Sequence, residues 1–393
     1  MTLLTRKAHR WATRVFMATS CLILAACDMP DLRGGNSGPS IDADKPVAVA
    51  LLLPKGSGQA GDEVLATALE NAARMAMADL SGVQVDLRVY ATAGSAERAA
   101  AVATQAVNEG AKIILGPVYA SAANAAGAAV AARNINVLSF SNNTAIAGGN
   151  VFVLGNTFEN TADRLVRYAV SKGKNKIMVI NGRDVAEEKG RAAIVAAMSR
   201  HGATPAGAAS FELSQNGIVQ AVPGITSSAR SNGAQAVFLT SGTAGALPIL
   251  SQLMVDNGVR PDSTQFIGLQ RWDIPESALA LPPLQGGWFA MPSPGLSQQY
   301  NSRYSATYGE PPHPISGLGY DGIAAIGALV SAGQTDALTI SALTQPTGFA
   351  GVNGVFRLRA NGTNERGLAI ATISEQQVKI LDPAPKSFGG AGF

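Results

Sequence analysis

Short apolar runs alternating with amphipathic helical segments make up most of the chain after residue 45 and restrict the folds open to it. The first run, residues 47–53, is apolar throughout, as in a parallel strand with both faces buried. Residues 62–80 follow with apolar side chains three and four apart, which predicts a helix. Because the alternation continues through short connections to residue 140, it predicts an open parallel sheet with helices on both faces.

A second series of the same kind occupies residues 151–268. Two consecutive series predict an α/β protein with two Rossmann-like lobes. The remaining segment differs, because it combines a strand at 286–290 with helices and with a hairpin of 355–358 and 367–373 around Asn361-Gly362.

This mixed C-terminal segment predicts that the chain crosses between the lobes about three times, near residues 140–155, 265–292 and 345–355. Each lobe is then assembled from two stretches. The first lobe is expected to comprise residues 45–140 and about 270–350. The second is expected to comprise residues 141–269 and about 351–385, including the hairpin.

Residues 1–26 have the pattern of a secretory signal peptide, with four cationic side chains, no acid, and an apolar stretch too short to span a bilayer. Leu24-Ala25-Ala26-Cys27 ends this stretch and resembles the bacterial lipobox. The resemblance implies lipidation of Cys27, and the alternative is a chance cysteine beside an ordinary cleavage site. Cys21, the other cysteine, lies in the signal, so no disulfide is expected in the mature chain.

Residues 27–44 are predicted to form a lipid-anchored flexible tether, because they are rich in Gly, Pro, Ser and Asp and lack apolar periodicity. Asp28 follows Cys27 and resembles the signal that retains lipoproteins of enteric bacteria in the inner membrane. The expected location is therefore the periplasmic side of a bacterial membrane, with Asp28 favouring the inner one.

Composition and motifs argue against nucleic-acid binding and catalysis. Without the signal peptide, basic and acidic residues nearly balance, so no electrostatic footprint for nucleic acid remains. His201 and His313 stand apart, and no nucleophile elbow, Walker loop or metal-spaced pair is present. Gly56-x-Gly58-x-x-Gly61 has dinucleotide spacing, but no acid follows the second strand. We expect no catalytic residue, cofactor or metal.

Two polar loops follow predicted strands at positions that would border a ligand crevice in an open α/β sheet. One ends in Ser121 before a helix, and the other contains Ser141, Asn142 and Asn143. A hydroxyl beside free helix N-terminal amides binds a carboxylate without a full positive charge. The alternative is structural: Ser121 caps its helix, and the asparagines turn the chain.

Four segments resemble the type 1 periplasmic solute-binding proteins, the leucine/isoleucine/valine-binding family: residues 49–54, 113–117, 136–141 and 319–321. That family has two α/β lobes, three crossovers and a ligand cleft that closes by hinge motion. The resemblance implies a non-enzymatic protein that captures a small, polar, amino-acid-like ligand for an ABC permease.

By position, the resemblance places the family's carboxylate-binding serine at Ser121 and its backbone-and-hydroxyl loop at Ser141, Asn142 and Asn143. These assignments imply that the first lobe binds the anionic end of the ligand.

In the second lobe the sequence departs from the family. The family's tyrosine falls at Lys189, and the acid that receives a ligand ammonium falls at Gln270, with Asp273 nearby as a substitute. A neutral Gln270 removes a charge-assisted hydrogen bond worth about 1.5–3 kcal/mol. The resemblance therefore leaves the ligand open.

A narrower resemblance links four other segments to lipoproteins called penicillin-binding protein activators: residues 270–273, 286–290, 348–354 and 366–369. Those proteins share the fold but press on a peptidoglycan synthase. This resemblance implies an alternative function, activation of a penicillin-binding protein through protein contact. The structural alternative is that Trp288 and Phe289 belong to a buried strand.

Overall fold

A computed structural model describes residues 38–42 and 44–388. The expected signal peptide, the expected lipidation at Cys27 and the first part of the expected tether lie outside the described residues. No helix among the described residues is both long enough and apolar enough to cross a membrane.

The first lobe contains a five-stranded, fully parallel sheet in the order β2-β1-β3-β4-β5. Its strands are β1 (Val47–Leu53), β2 (Val85–Ala91), β3 (Ile113–Leu115), β4 (Val137–Ser139) and β5 (Val151–Val153). The intervening helices are α1 (Ala60–Asp79), α2 (Ala96–Asn108) and α3 (Ala120–Val130). All seven residues of β1 are buried because helices cover both faces, which is why this strand is apolar throughout.

The second lobe starts with four parallel strands of a larger sheet. They are β6 (Lys176–Gly182), β7 (Thr204–Phe211), β8 (Ala236–Leu239) and β9 (Gln265–Gly268). The associated helices are α4 (Phe158–Ser171), α5 (Val185–His201), α6 (Gln215–Ser231) and α7 (Leu247–Asp256). Capping side chains at Thr157, Asp184 and Ser214 fix where the first three begin.

The C-terminal part contributes to both lobes. Its elements are β10 (Trp288–Met291), α8 (Pro294–Tyr308), α9 (Gly317–Val330), α10 (Ile340–Leu343), β11 (Phe349–Gly351), β12 (Gly354–Leu358), β13 (Asn364–Arg366), β14 (Ala369–Ser374) and β15 (Gln377–Asp382). The second sheet is thereby completed in the order β15-β14-β10-β9-β8-β6-β7, and β11-β12-β13 form a small antiparallel sheet. The predicted two-lobed α/β fold is confirmed.

Sheet membership corrects several expected boundaries. Strand β5 belongs to the first sheet, although the sequence assigned residues 141–269 to the second lobe. Strand β10, assigned to the first lobe, pairs in parallel with β9 and antiparallel with β14. Phe356 and Leu358 pack in the first core, whereas Ala369 and Ile370 pack in the cores of the second lobe, so the last crossing falls near residues 366–369.

The expected hairpin is also corrected. β12 pairs with β13 around Asn361-Gly362, and β14 instead joins the second sheet beside β10. Five of the six residues of β14 are buried, because this strand lies between two neighbours and beneath helices. A hydrophobic run alone does not distinguish a hairpin partner from a strand of a larger sheet.

The expected tether ends earlier than residue 44. Ile41 is only 5% exposed in the first-lobe core, and its amide donates to the Thr335 carbonyl at 2.9 Å. A single apolar residue in a Gly-, Pro- and Asp-rich segment gives no periodicity, which is why the sequence did not predict this packing.

A buried ion pair joins the crossovers. Arg366 donates to Asp321 of α9 at 2.8 Å, and its Nε and Nη2 donate to the Leu154 carbonyl at 2.9 and 2.6 Å. Burial raises the pKa of Asp321 even though Arg366 opposes that shift. One guanidinium thus links α9, β13 and the segment leaving β5.

Candidate functional site

In the first lobe, the carboxyl ends of β1, β2 and β3 surround a cavity of about 570 Å³. Its lining residues are Ser57, Gln59, Asp62, Ala93, Gly94, Tyr119, Ala120 and Ser121. Ser121 is exposed in the first turn of α3, and the N-cap residue Tyr119 provides no side-chain cap. Ser121 therefore does not cap its helix, and the α3 amides have no side-chain acceptor at this end.

Asp62 is a member of this cavity that sequence reasoning missed. It lies in the first turn of α1 and is only 6% exposed. The Tyr119 hydroxyl donates to its Oδ1, and this hydrogen bond, followed by burial, raises the pKa of Tyr119. The other oxygen, Oδ2, is buried without a hydrogen-bond partner in the described structure. The available signal was an acid directly after the glycine-rich loop.

The loop after β4 is a turn held by its own polar groups. Ser141 is 6% exposed, and its hydroxyl accepts from the Asn143 amide at 3.1 Å. The Asn143 side chain accepts from the Ala145 amide at 3.2 Å, and Asn142 is exposed. The side chains of Ser141 and Asn143 thus bond to the backbone of their own turn, while the Asn142 side chain is exposed.

Lys189 meets this loop from the other lobe. Its Nζ donates to Asn143 Oδ1 at 3.4 Å, and both residues line a cavity of about 610 Å³ together with Asn142. The wall on the second-lobe side is the small-residue face of α5, at Ala192, Ala193 and Ala196. The structure therefore brings Asn142, Asn143 and Lys189 together across the interlobe boundary.

In the second lobe, a cavity of about 710 Å³ lies at the carboxyl ends of β6 to β9. Gln270 lines it, and its Nε2 donates to the Thr240 carbonyl at 3.0 Å. Asp273 instead accepts two hydrogen bonds from Arg271, at 2.9 and 2.5 Å. The substitute acid is thus already neutralised by a neighbouring guanidinium.

A second acid missed from the sequence, Glu187, borders the same cavity and is 9% exposed. Its carboxylate accepts from the hydroxyls of Thr240 and Ser241 at 2.8 Å and from the Gly182 amide. Because each of its oxygens has donors, Glu187 ties α5 to the ends of β6 and β8.

The wall of the second-lobe cavity combines exposed polar side chains, among them Asp184 and Ser214, with exposed alkyl groups. Leu213, Ile249 and Ile274 line it with 45%, 42% and 48% of their surface exposed. Exposed alkyl groups grouped at a cavity are typical of a surface that a ligand or partner covers. Ser121 and Gln270 line separate cavities, one in each lobe.

No three His, Cys, Asp or Glu side chains within residues 38–42 and 44–388 are grouped as metal ligands would be.

Two α/β lobes joined by several crossovers, each with a cavity at the carboxyl edge of its sheet, define a bilobal ligand-binding class. Residues 46–377 match the family described as periplasmic binding protein, and the chain belongs to that family. No curated protein matches the sequence.

Solved structures show the same fold at low identity. A putative branched-chain amino acid ABC transporter protein from Rhodospirillum rubrum is 17% identical, with a TM-score of 0.72 over 86% of this chain and 100% of its own. An ABC transporter substrate-binding protein from Desulfitobacterium hafniense, in complex with Leu, is 16% identical, with a TM-score of 0.62 over 86% and 100%. A leucine-binding protein from Thermotoga maritima is 15% identical, with a TM-score of 0.55 over 86% and 98%.

Proposed function

We propose that this protein is a non-catalytic, lipid-anchored receptor of the cell envelope that binds a small, polar, amino-acid-like ligand between its lobes for ABC-type uptake. The observation that best supports this is the pair of cavities at the carboxyl edges of the two sheets, of which the first contains Asp62 and Ser121 and the second has exposed alkyl groups in its wall. Structures with the same fold include a protein solved in complex with Leu.

In the proposed mechanism, the ligand first binds the first lobe. Its carboxylate accepts from the Ser121 hydroxyl and from the uncapped amides of α3, where the helix dipole favours an anion. The second lobe then closes over the ligand, and its alkyl side chains exclude water. Lys189 and Asn143 already meet across the boundary and adjust as the lobes close, with Asn142 exposed beside them.

The alternative, activation of a penicillin-binding protein, receives less support from the segments that suggested it. Trp272 and Phe289 are fully buried, and Trp288 packs edge-on against Tyr168. These side chains stabilise the second lobe from within, so they do not themselves form a docking surface. A surface for a synthase would need other residues.

Membrane anchoring and the permease partner belong to the same proposal. Cys27 would receive the lipid and hold the protein at the periplasmic face, with Asp28 favouring the inner membrane. Labelling cells with a radioactive or clickable palmitate should mark the wild-type protein and leave Cys27→Ala unlabelled. A labelled Cys27→Ala protein would contradict the anchor.

A thermal-shift screen of the purified protein against standard L-amino acids, amides and peptidoglycan fragments tests the function. A ligand at 100 times its Kd stabilises the folded state by about 2.7 kcal/mol, a readily measured shift in Tm. We expect an aliphatic amino acid to bind. A screen without any binder, followed by capture of a peptidoglycan synthase in a pull-down, would replace the uptake function with the activator function.

A further inference from the structure

We infer that Asp62 is the acceptor for the ligand's ammonium group, so that the first lobe alone holds both charged ends of a zwitterionic amino acid. This inference rests on the proposed function and specifies the ligand class. It answers the problem raised by Gln270, where a neutral side chain stands in the position of an acid.

The evidence begins with the burial of Asp62. Few buried polar atoms in folded proteins lack a partner, and a carboxylate oxygen without one is costly. Asp62 Oδ1 accepts from Tyr119, which fixes the carboxyl group, and Oδ2 is left with no donor. A fixed carboxylate with one free oxygen is suited to receive a cationic donor.

Oδ2 lies beside Gly94, a residue in the wall of the cavity. A methyl group built on Gly94 would stand 3.7 Å from Oδ2 and 3.7 Å from the Ser57 Cβ. Gly94 has a φ of +68°, a conformation that favours glycine, so the backbone approaches Asp62 here without a side chain between them. Gly94, Ser57 and Asp62 all line the first-lobe cavity.

The same cavity contains the group proposed for the other end of the ligand. Ser121 lines it in the first turn of α3, and Tyr119, the N-cap residue of this helix, donates to Asp62. A carboxylate at α3 and an ammonium at Asp62 Oδ2 complement the charges of an α-amino acid head group. The acids at the second-lobe cavity are engaged differently, because Asp273 is paired with Arg271, Glu187 has donors on each oxygen, and Asp184 caps α5.

The test uses isothermal titration calorimetry with L-leucine and with 4-methylpentanoate, which is leucine without its ammonium group. Wild-type protein should bind 4-methylpentanoate about 10- to 100-fold more weakly than leucine. Asp62→Asn should weaken leucine binding by a similar factor and leave 4-methylpentanoate unchanged. Asp262→Asn, at an exposed site near the amino end of β9, removes the same charge and should leave both affinities unchanged.

A second readout distinguishes binding from a structural role. Asp62→Asn should leave the Tm of the ligand-free protein unchanged or raise it, because an unpartnered carboxylate oxygen is removed. Leucine binding by Asp62→Asn with wild-type affinity would overturn the inference and leave the proposed function intact. Failure of wild-type protein to bind leucine or any other amino acid would overturn both.

Discussion

The first-lobe and second-lobe cavities lie at equivalent edges of their sheets. Their acidic side chains differ in how many hydrogen-bond partners they have. In the first lobe, Asp62 Oδ2 and the Ser121 hydroxyl have no partner in the described structure. In the second lobe, Glu187 accepts hydrogen bonds on both carboxylate oxygens, Asp273 is paired, and three exposed alkyl side chains line the cavity. Under the proposed function, the first lobe recognises the charged head group of the ligand and the second covers an apolar side chain.

The largest expected effect comes from removing Glu187, whose two carboxylate oxygens both accept hydrogen bonds. Glu187→Ala leaves the Thr240 and Ser241 hydroxyls and the Gly182 amide without their acceptor, so the free energy of unfolding should fall by about 3 kcal/mol or more. Chemical denaturation measures this loss. Glu97→Ala is the matched control, because Glu97 is also an acid in the first turn of a helix but is exposed, so its loss should cost about 0.3–1 kcal/mol. Equal losses for the two variants would show that Glu187 does not tie α5 to the sheet.

The next largest expected effect is on ligand affinity and comes from removing the Ser121 hydroxyl from the first-lobe cavity. Ser121→Ala should weaken leucine binding about tenfold, because a hydroxyl donor to the ligand carboxylate is lost. The Tm of the ligand-free protein should not change, since Ser121 does not cap α3. Ser95→Ala provides the contrast: Ser95 caps α2 by accepting from Arg98, so this variant should lose about 1 kcal/mol of stability and keep its affinity. A loss of stability with unchanged affinity in Ser121→Ala would show that Ser121 caps α3 and does not bind the ligand.

The sequence predicts those parts of the fold and site that have a local pattern of residues, and it does not predict the others. The alternation of apolar runs and helices predicts both sheets, because buried parallel strands such as β1 must be apolar throughout. It also predicts that the loops with Ser121 and Asn143 lie at the carboxyl edges. The strand β10 was placed in the wrong lobe because local patterns contain no information on pairing, and its partner β14 is distant in sequence although β9 is the preceding strand.

Asp62 and Glu187 were missed for a related reason. Each is an acid in the first turn of a helix, a position where acids are common because of the helix dipole. Only the three-dimensional arrangement shows that Glu187 meets hydroxyls from β8 and beyond, whereas Asp62 has one oxygen without a donor. An acid is structural or free to bind a ligand according to its hydrogen-bond partners. The sequence does not show which residues those partners are.

Removing an exposed alkyl side chain from the second-lobe cavity should have a smaller effect on ligand binding. Ile274→Ser should weaken leucine binding about 3- to 10-fold, because its exposed alkyl surface would no longer pack on the ligand side chain. Alanine, which has little side chain to cover, should bind equally well to both proteins. Val219→Ser, 50% exposed on α6, is the control and should change neither affinity. Parallel losses for leucine and alanine would contradict an apolar role for Ile274.

The smallest effect on ligand binding is expected from a substitution in the Arg271–Asp273 ion pair. Asp273→Asn removes the charge partner of Arg271; the two side chains are 11% and 36% exposed, so stability should fall by about 1 kcal/mol, the upper end for a surface pair. Leucine affinity should stay within about twofold of wild type, since a paired Asp273 does not receive the ammonium. Calorimetry checks both values. A large loss of affinity would show that Asp273 is released from Arg271 on lobe closure and binds the ligand.

A crystal structure of the protein grown with L-leucine would locate both charged ends of the ligand. We expect the ammonium nitrogen within hydrogen-bond distance of Asp62 Oδ2, the carboxylate at Ser121 and the start of α3, and the alkyl group against Ile274 and its neighbours. A leucine whose ammonium group faces Gln270 or Asp273, with Asp62 Oδ2 still unpartnered, would contradict this expectation.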